Sequence, residues 1–334
     1  MRLFSYTKAA TAADAVRAIA AAGPGARFLA GGTTLYDLMK LKVETPSSII
    51  DINSLAELGT FDTSGSSELI FGALARMSDV AADDRLVRDY PALSESLWLA
   101  ASPQLRNMAS LGGNLLQRTR CSYFRGGEPF ACNKRKPGSG CSAREGINRG
   151  HALLGGSKSC IAVYPGDWAV ALCAFDAKLD ILGPHGERTI ALEDLHREPA
   201  TTPDRETTLG FNELILRIRV PATPLGRASS YHKIRDRESF AFALVSAAVA
   251  LEMDADIVRN VHIAVGGVAT RPWRARTAEQ TLVGRPLTAQ AARATGDAAL
   301  DGAKASDENR FRIDLAAQTV ADALIIARQR AFPC

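Results

Sequence analysis

Histidine is scarce in this chain, with five residues scattered through 334 and no spacing that suits a metal-ligand set. No Ser/His/Asp arrangement and no paired carboxylates stand out, so side-chain catalysis has no evident carrier and no catalytic residue is assigned. Aromatic residues make up only 6% of the sequence, and no apolar run approaches the roughly 18 residues needed to span a bilayer. The net charge is only +4, too small to draw the whole molecule to a polyanion. There is no internal repeat and no GxGxxG, which removes solenoids and the usual dinucleotide fold. What is present is an ordinary globular composition, 46% apolar and 23% charged, long enough for two or three domains.

The N-terminal stretch MRLFSYTKAATAADAVRAIAAAG is interrupted by Asp14 and Arg17. It reads as a short amphipathic helix from about Thr11 to Ala22 with Thr11 as its cap, and not as an export signal. The chain is therefore expected in the cytoplasm unless a partner carries it out. ARFLAG then supplies a strand, GGTT a turn, LYDLMKLK a helix and SSIIDI a second strand, a small βαβ-like unit. After the break DTSGSSE, PALSESLWLAA predicts a helix. DWAVALCAF predicts another, with Cys173 as a buried core thiol. KLDIL and RTIAL flank a hairpin turn at Gly183–Gly186, and ELILRIRVP closes the region. Pro221 to Gly226 is the best linker, and beyond it SSYHKIR, FAFALVSAAVALEM (read as core), VHIAVGGV and Ala-rich helical segments follow. Cys334 is expected to be exposed and incidental.

Two glycine turns are candidates for phosphate binding. In FLAGGTTLYDLM a strand runs into Gly31-Gly32 and then a helix, a geometry in which backbone N–H groups approach an anion closely. In QLRNMASLGGNLLQ, Ser110, Gly112, Gly113 and Asn114 combine a hydroxyl, flexible backbone and an amide. Either turn alone also suits a plain cap or hairpin. Two of them, each after an apolar segment, favour a ligand with two phosphates.

Four of the six cysteines lie between Arg118 and Cys160. Cys121, Cys132, Cys141 and Cys160 include no CxxC pair, which disfavours zinc. Two disulfides or an iron–sulfur cluster remain possible readings. The same region, from Arg118 to Arg149, carries eight basic residues against Glu128 and Glu145, a surplus of six that leaves the rest of the chain slightly acidic. Such charge would offset an anionic cluster with four thiolates. With Tyr123, Phe124 and Phe130 interleaved it would also suit a nucleic-acid module, but that reading leaves the glycine turns unexplained.

FLAGGTTL, QLRNMASLGGNL, YPGDWAVAL and SYHKIRDR, in this order and spacing over essentially the whole chain, resemble the FAD-binding subunit of the molybdenum hydroxylases, a family that includes xanthine dehydrogenase, carbon monoxide dehydrogenase and aldehyde oxidoreductases. The resemblance implies an α+β chain with a two-subdomain FAD-binding fold of the PCMH type and a smaller α+β C-terminal domain. The boundaries expected are 1–53 and 54–222 for the subdomains, with an insertion at about 118–160, and 227–330 for the last domain. FAD would lie between the subdomains. It implies cofactor contacts from Phe28, Leu29, Ala30, Gly31, Gly32, Thr33, Thr34 and Leu35, from Ala101, Ala109, Ser110, Gly113 and Asn114, and from Asp167, Leu214, Ile215 and Lys233. Thr33-Thr34 departs from the family pattern, which leaves the hydrogen bonding there open.

Within the insertion, QRTRCSYF, CNKRKPGSGC and SKSCIA resemble the flavin subunit of bacterial periplasmic aldehyde oxidoreductases. That implies a [4Fe–4S] cluster on Cys121, Cys132, Cys141 and Cys160, in a loop directed towards a partner subunit. The implied role is electron transfer within a complex with a molybdenum-cofactor catalytic subunit and a [2Fe–2S] small subunit. Electrons would pass through FAD to an external acceptor, with no nucleic acid and no membrane span involved. Periplasmic location would come by co-export with a partner. The flavin subunit of hydroxybenzoyl-CoA reductase carries a similar insertion and is the alternative within the family.

Overall fold

The computed structural model describes residues 1–332; Cys334 lies outside the described residues. Three sheets follow one another along the chain. The first is parallel, with strands Ser5–Lys8 (β1), Ala26–Leu29 (β2) and Ser48–Asp51 (β3) in the order β1-β3-β2. The helix Ala12–Ala22 begins as its sequence predicts: Thr11 Oγ1 accepts the Asp14 N–H at 3.0 Å. Its buried residues Ala15, Val16 and Ile19 face a core with Ala26, Ile50 and Leu214. Each large aliphatic side chain there contributes roughly 1.5–3 kcal/mol. β1 is absent from the sequence-based reading. Its four residues, Ser-Tyr-Thr-Lys, are all exposed and carry no apolar alternation, so only the ladder to β3 defines it.

The second sheet holds Phe61–Asp62 (β4), Glu68–Gly72 (β5), Lys178–Gly183 (β6), Gly186–Ala191 (β7) and Leu214–Pro221 (β8), in the order β4-β5-β8-β6-β7. All its pairings are antiparallel, and β6 and β7 form the hairpin expected around Gly183 and Gly186. The helix Trp168–Ala174 is buried along its entire length in this core, which includes Cys173. The third sheet, antiparallel, comprises Ser229–Ile234 (β9), Val245–Asp254 (β10), Ile257–Gly266 (β11) and Trp273–Arg274 (β12). The apolar run expected as core is strand β10, against which the helix Phe311–Ala331 packs. No helix among the described residues is long and apolar enough to cross a membrane.

The insertion has little regular structure: a helical turn Ser122–Arg125, a 3-10 turn Ser142–Arg144, and isolated bridges between Cys132 and Cys141 and between Leu154 and Ala269. It lies against the rest of the chain. Arg120 and Arg125 reach Asp37 at 3.3 and 2.6 Å, and Arg118 bridges Glu44 and Glu206. At its far end Asn148 binds Glu308 and Ser306. Three arginines of the basic surplus are thus neutralised by carboxylates brought in from distant segments, and Phe124 is fully buried. That part of the charge and one of the three aromatic rings are turned inward, while Lys136, Arg144, Arg149 and Phe130 stay exposed.

Candidate cofactor cleft and cysteine centre

A cleft of about 1100 Å³ opens between the first and second sheets. Phe28, Ala30, Gly31, Gly32, Thr33, Thr34 and Leu35 line one wall, and Ser110, Gly113, Leu214 and Ile215 line others. The two glycine turns meet. A Cβ placed on Gly31 would stand 1.9 Å from the Met108 carbonyl oxygen and 3.2 Å from Ala109 Cα, so only glycine lets the first turn sit on the backbone of the second. Gly32 adopts φ +73°, the left-handed region glycine enters freely. The backbone N–H groups of Gly31, Gly32, Thr33 and Thr34 make no hydrogen bond among the described residues, leaving four donors in succession at the cleft wall. Such a row of amides holds phosphate oxygens.

The second turn works differently. Ser110 caps the helical turn Leu111–Leu115 by accepting the Gly113 N–H at 3.3 Å, and the Gly112 N–H donates to Ala73 O at 2.8 Å. Its amides are consumed internally, so it shapes the wall while the first turn carries the free donors.

Six expected contacts do not line the cleft. Leu29 belongs to β2, and its carbonyl accepts the Ile52 N–H at 3.0 Å. Ala109 lies beneath Gly31 with its carbonyl bound to the Met77 N–H at 3.1 Å. Asn114 donates to Met77 Sδ at 3.5 Å, and its Oδ1 is buried without a partner. Ala101, at φ +49°, accepts the Phe240 N–H at 3.1 Å. Asp167 and Lys233 also lie off the cleft lining, and they hold each other at 2.9 Å. Asp167 Oδ1 also accepts the Tyr231 hydroxyl at 2.6 Å, and Lys233 donates to Leu99 O at 2.9 Å. Both are buried, and each charge is satisfied where it stands. Burying either in the core without the other would be expensive.

Other cleft residues were not singled out from the sequence. Arg118 lines the wall; burial alone would lower its pKa, but Glu206 and Glu44 more than offset this and hold it above the ordinary value. The Tyr164 and His196 rings lie tilted against each other with centroids 4.3 Å apart, and both reach Leu115 O, at 3.1 and 2.9 Å. Burial pushes His196 down to about 4, so the ring is neutral and Nε2 carries the proton it donates to that carbonyl. Its Nδ1 is buried without a partner. From His196 to Phe211 most of one loop lines the cleft, including the exposed Arg197 and Arg205. The available signal was the loop itself, a long Pro/Thr/Arg-rich stretch without periodicity between β7 and β8.

Cys121, Cys132, Cys141 and Cys160 line a second, smaller cavity, and none forms a disulfide. Lys134, Cys160 and Ala162 belong to the walls of both cavities, so the two sites share a partition. The Ala162 N–H donates to Cys160 Sγ at 3.4 Å, and His151 Nε2 lies 3.3 Å from Cys121 Sγ. Burial pushes the Cys160 thiol up to about 11, against the pull of Lys134 and with help from Cys141 and Cys121. Cys121 is raised likewise by burial and by Cys132 and Cys141. No group of three or more His, Cys, Asp or Glu among the described residues is placed to hold a metal ion. Four thiolates on one zinc would each sit at about 2.3 Å from it and crowd together. In an iron–sulfur cube each thiolate holds its own iron, so the sulfurs stand further apart around a larger body. Here four free thiols share one cavity, with the Ala162 N–H on one sulfur and His151 Nε2 beside another.

A cleft with a row of free amides between two sheets, followed by a third sheet with its own helices, defines a cofactor-binding chain that works through its ligand. The family model for the FAD binding domain in molybdopterin dehydrogenase matches residues 2–223, and that for the CO dehydrogenase flavoprotein C-terminal domain matches residues 229–326. The aldehyde oxidoreductase FAD-binding subunit of Escherichia coli is 45% identical over 333 residues, covering 99% of this chain and 100% of that one. The carbon monoxide dehydrogenase medium chain of Hydrogenophaga pseudoflava is 27% identical and covers 98% of each chain. A solved structure of that organism's carbon monoxide dehydrogenase superposes with a TM-score of 0.77 over 98% of each chain. The chain belongs to the FAD-binding subunits of the molybdenum hydroxylases, and it is an oxidoreductase subunit that binds FAD.

Proposed function

We propose that this chain is the FAD-bearing electron-transfer subunit of a molybdenum-dependent aldehyde oxidoreductase, and that Cys121, Cys132, Cys141 and Cys160 hold a [4Fe–4S] cluster. The observation that carries the second part is the convergence of four free thiols, spread over forty residues, on one cavity beside the cofactor cleft. The high identity to an aldehyde oxidoreductase subunit supports the first part. In this reading the free amides of Gly31–Thr34 hold the pyrophosphate, and Arg197 and Arg205 line the same cleft. Leu214 and Ile215 supply apolar wall, and the neutral Tyr164–His196 pair keeps that side of the cleft dry and rigid. When bound, FAD supplies the one- and two-electron chemistry that the side chains lack. Partners are a molybdenum-cofactor catalytic subunit, a [2Fe–2S] small subunit and an external acceptor, and export together with a partner belongs to the same reading.

The test is iron, acid-labile sulfide and flavin content of anaerobically purified protein, with each of the four cysteines replaced by serine. About four iron and four sulfide per FAD, lost in the variants, are expected. Flavin without iron or sulfide in fresh protein would overturn the cluster while leaving the FAD assignment intact.

A further inference from the structure

His151 is 6% exposed and carries the one side-chain nitrogen placed against a cysteine sulfur among the described residues, Nε2 at 3.3 Å from Cys121 Sγ. Its Nδ1 is buried without a partner. The backbone around it is pinned from the C-terminal domain: its carbonyl accepts from Arg312 Nη1 at 2.7 Å and from Asn309 Nδ2 at 3.4 Å. Its own N–H donates to Asn148 O at 2.9 Å. Arg312 is itself fully buried and is held by the carbonyls of Leu244 and Gly267. The backbone that carries the imidazole is thus held from the C-terminal domain as well as from within the insertion, with one ring nitrogen beside the sulfur.

A cysteine sulfur bound to iron is an acceptor only, so the contact is attractive when Nε2 bears the hydrogen and Nδ1 does not. Resting on the cluster reading above, we propose that His151 is a positioning residue for the centre. Its Nε2–H donates to Cys121 Sγ and holds the reduction potential above the value the four thiolates alone would set. A hydrogen bond to a ligand sulfur stabilises the reduced, more negative cluster more than the oxidised one, and so favours uptake of an electron. At Cys160 the corresponding donor is the backbone N–H of Ala162.

The experiment is an EPR-monitored redox titration of the anaerobically purified full chain, comparing wild type with His151→Leu and His151→Gln. Leucine removes the donor, and the glutamine amide restores an N–H on a side chain of similar reach. The midpoint of the leucine variant is expected to fall by about 59 mV, a tenfold change in the reduced-to-oxidised ratio for one electron. The glutamine variant is expected to recover most of that shift. In wild type labelled with ¹⁵N-histidine, pulsed EPR of the reduced cluster should show a weak nitrogen coupling that the leucine variant lacks. Equal midpoints in wild type and leucine variant at equal iron content would overturn the proposal. If the leucine variant fails to retain iron, the absence of nitrogen coupling in wild type would overturn it instead. Wild type without iron defeats the cluster reading itself, a result distinct from either.

Discussion

Alanine at position 31 puts a methyl group where the backbone of the second turn already lies. The new Cβ would stand 1.9 Å from the Met108 carbonyl oxygen and 2.8 Å from its carbon, whereas real contacts of this kind lie above 3 Å. One turn must move by more than an ångström. The Met108–Ala109 side cannot yield easily, since Met108 O accepts from Arg76 and the Ala109 N–H donates to Leu105 O at 2.8 Å. Overpacking of this kind costs about 3 kcal/mol. If the displacement falls on the first turn, the four free amides lose their alignment, and a penalty of that size weakens FAD binding by roughly 100-fold. Gly32→Ala is the matched control: its Cβ meets nothing closer than Leu29 Cδ1 at 3.4 Å, so only the left-handed backbone is penalised, at about 1–2 kcal/mol. Flavin fluorescence titration of protein stripped of FAD, with urea unfolding alongside, separates affinity from stability. Gly31→Ala protein that retains FAD with wild-type affinity and an unchanged unfolding midpoint would refute the close approach of the two turns.

Lys233→Met should destabilise the chain by about 3–5 kcal/mol by leaving the Asp167 carboxylate buried and unpaired, and adding Asp167→Leu should recover part of the loss; a change in FAD affinity without a change in stability would instead make these residues cofactor ligands. His196 ties stability to acid. Its folded pKa of about 4 lies below the ordinary 6.5, so the unfolded chain binds the extra proton first and stability is lost as pH falls from about 6.5 to 4. The loss is on the order of 3 kcal/mol. The urea midpoint of His196→Gln should depend less on pH over that window, and parallel curves for variant and wild type would count against the assignment. Arg118→Ala leaves Glu44 and Glu206 facing each other across the cleft wall and should cost about 2 kcal/mol after allowance for partial exposure, read from the same urea curves; an unchanged midpoint would mean that solvent already screens the pair.

Local chemistry alone determined much of this protein. Thr11 caps its helix, Gly183 and Gly186 bracket a hairpin, Pro221 ends a strand, and the apolar run before Asp254 is core, because each depends on neighbours within a few residues. The Gly31-Gly32 turn was legible for the same reason. Tertiary structure decided what depends on distant partners. β1 exists only through its ladder with β3, since its own side chains bury nothing. The charges of Arg118, Arg120 and Arg125 count towards a basic surplus in the sequence, and only the fold sets Asp37, Glu44 and Glu206 against them. Asp167 and Lys233 are far apart in sequence, and only the fold pairs them in the core, where an unmatched charge is too costly to keep. That four cysteines with no close pair among them line one cavity was not legible, because loops carry no periodicity that reveals which residues they bring together; only the packing of the insertion against its neighbours does that.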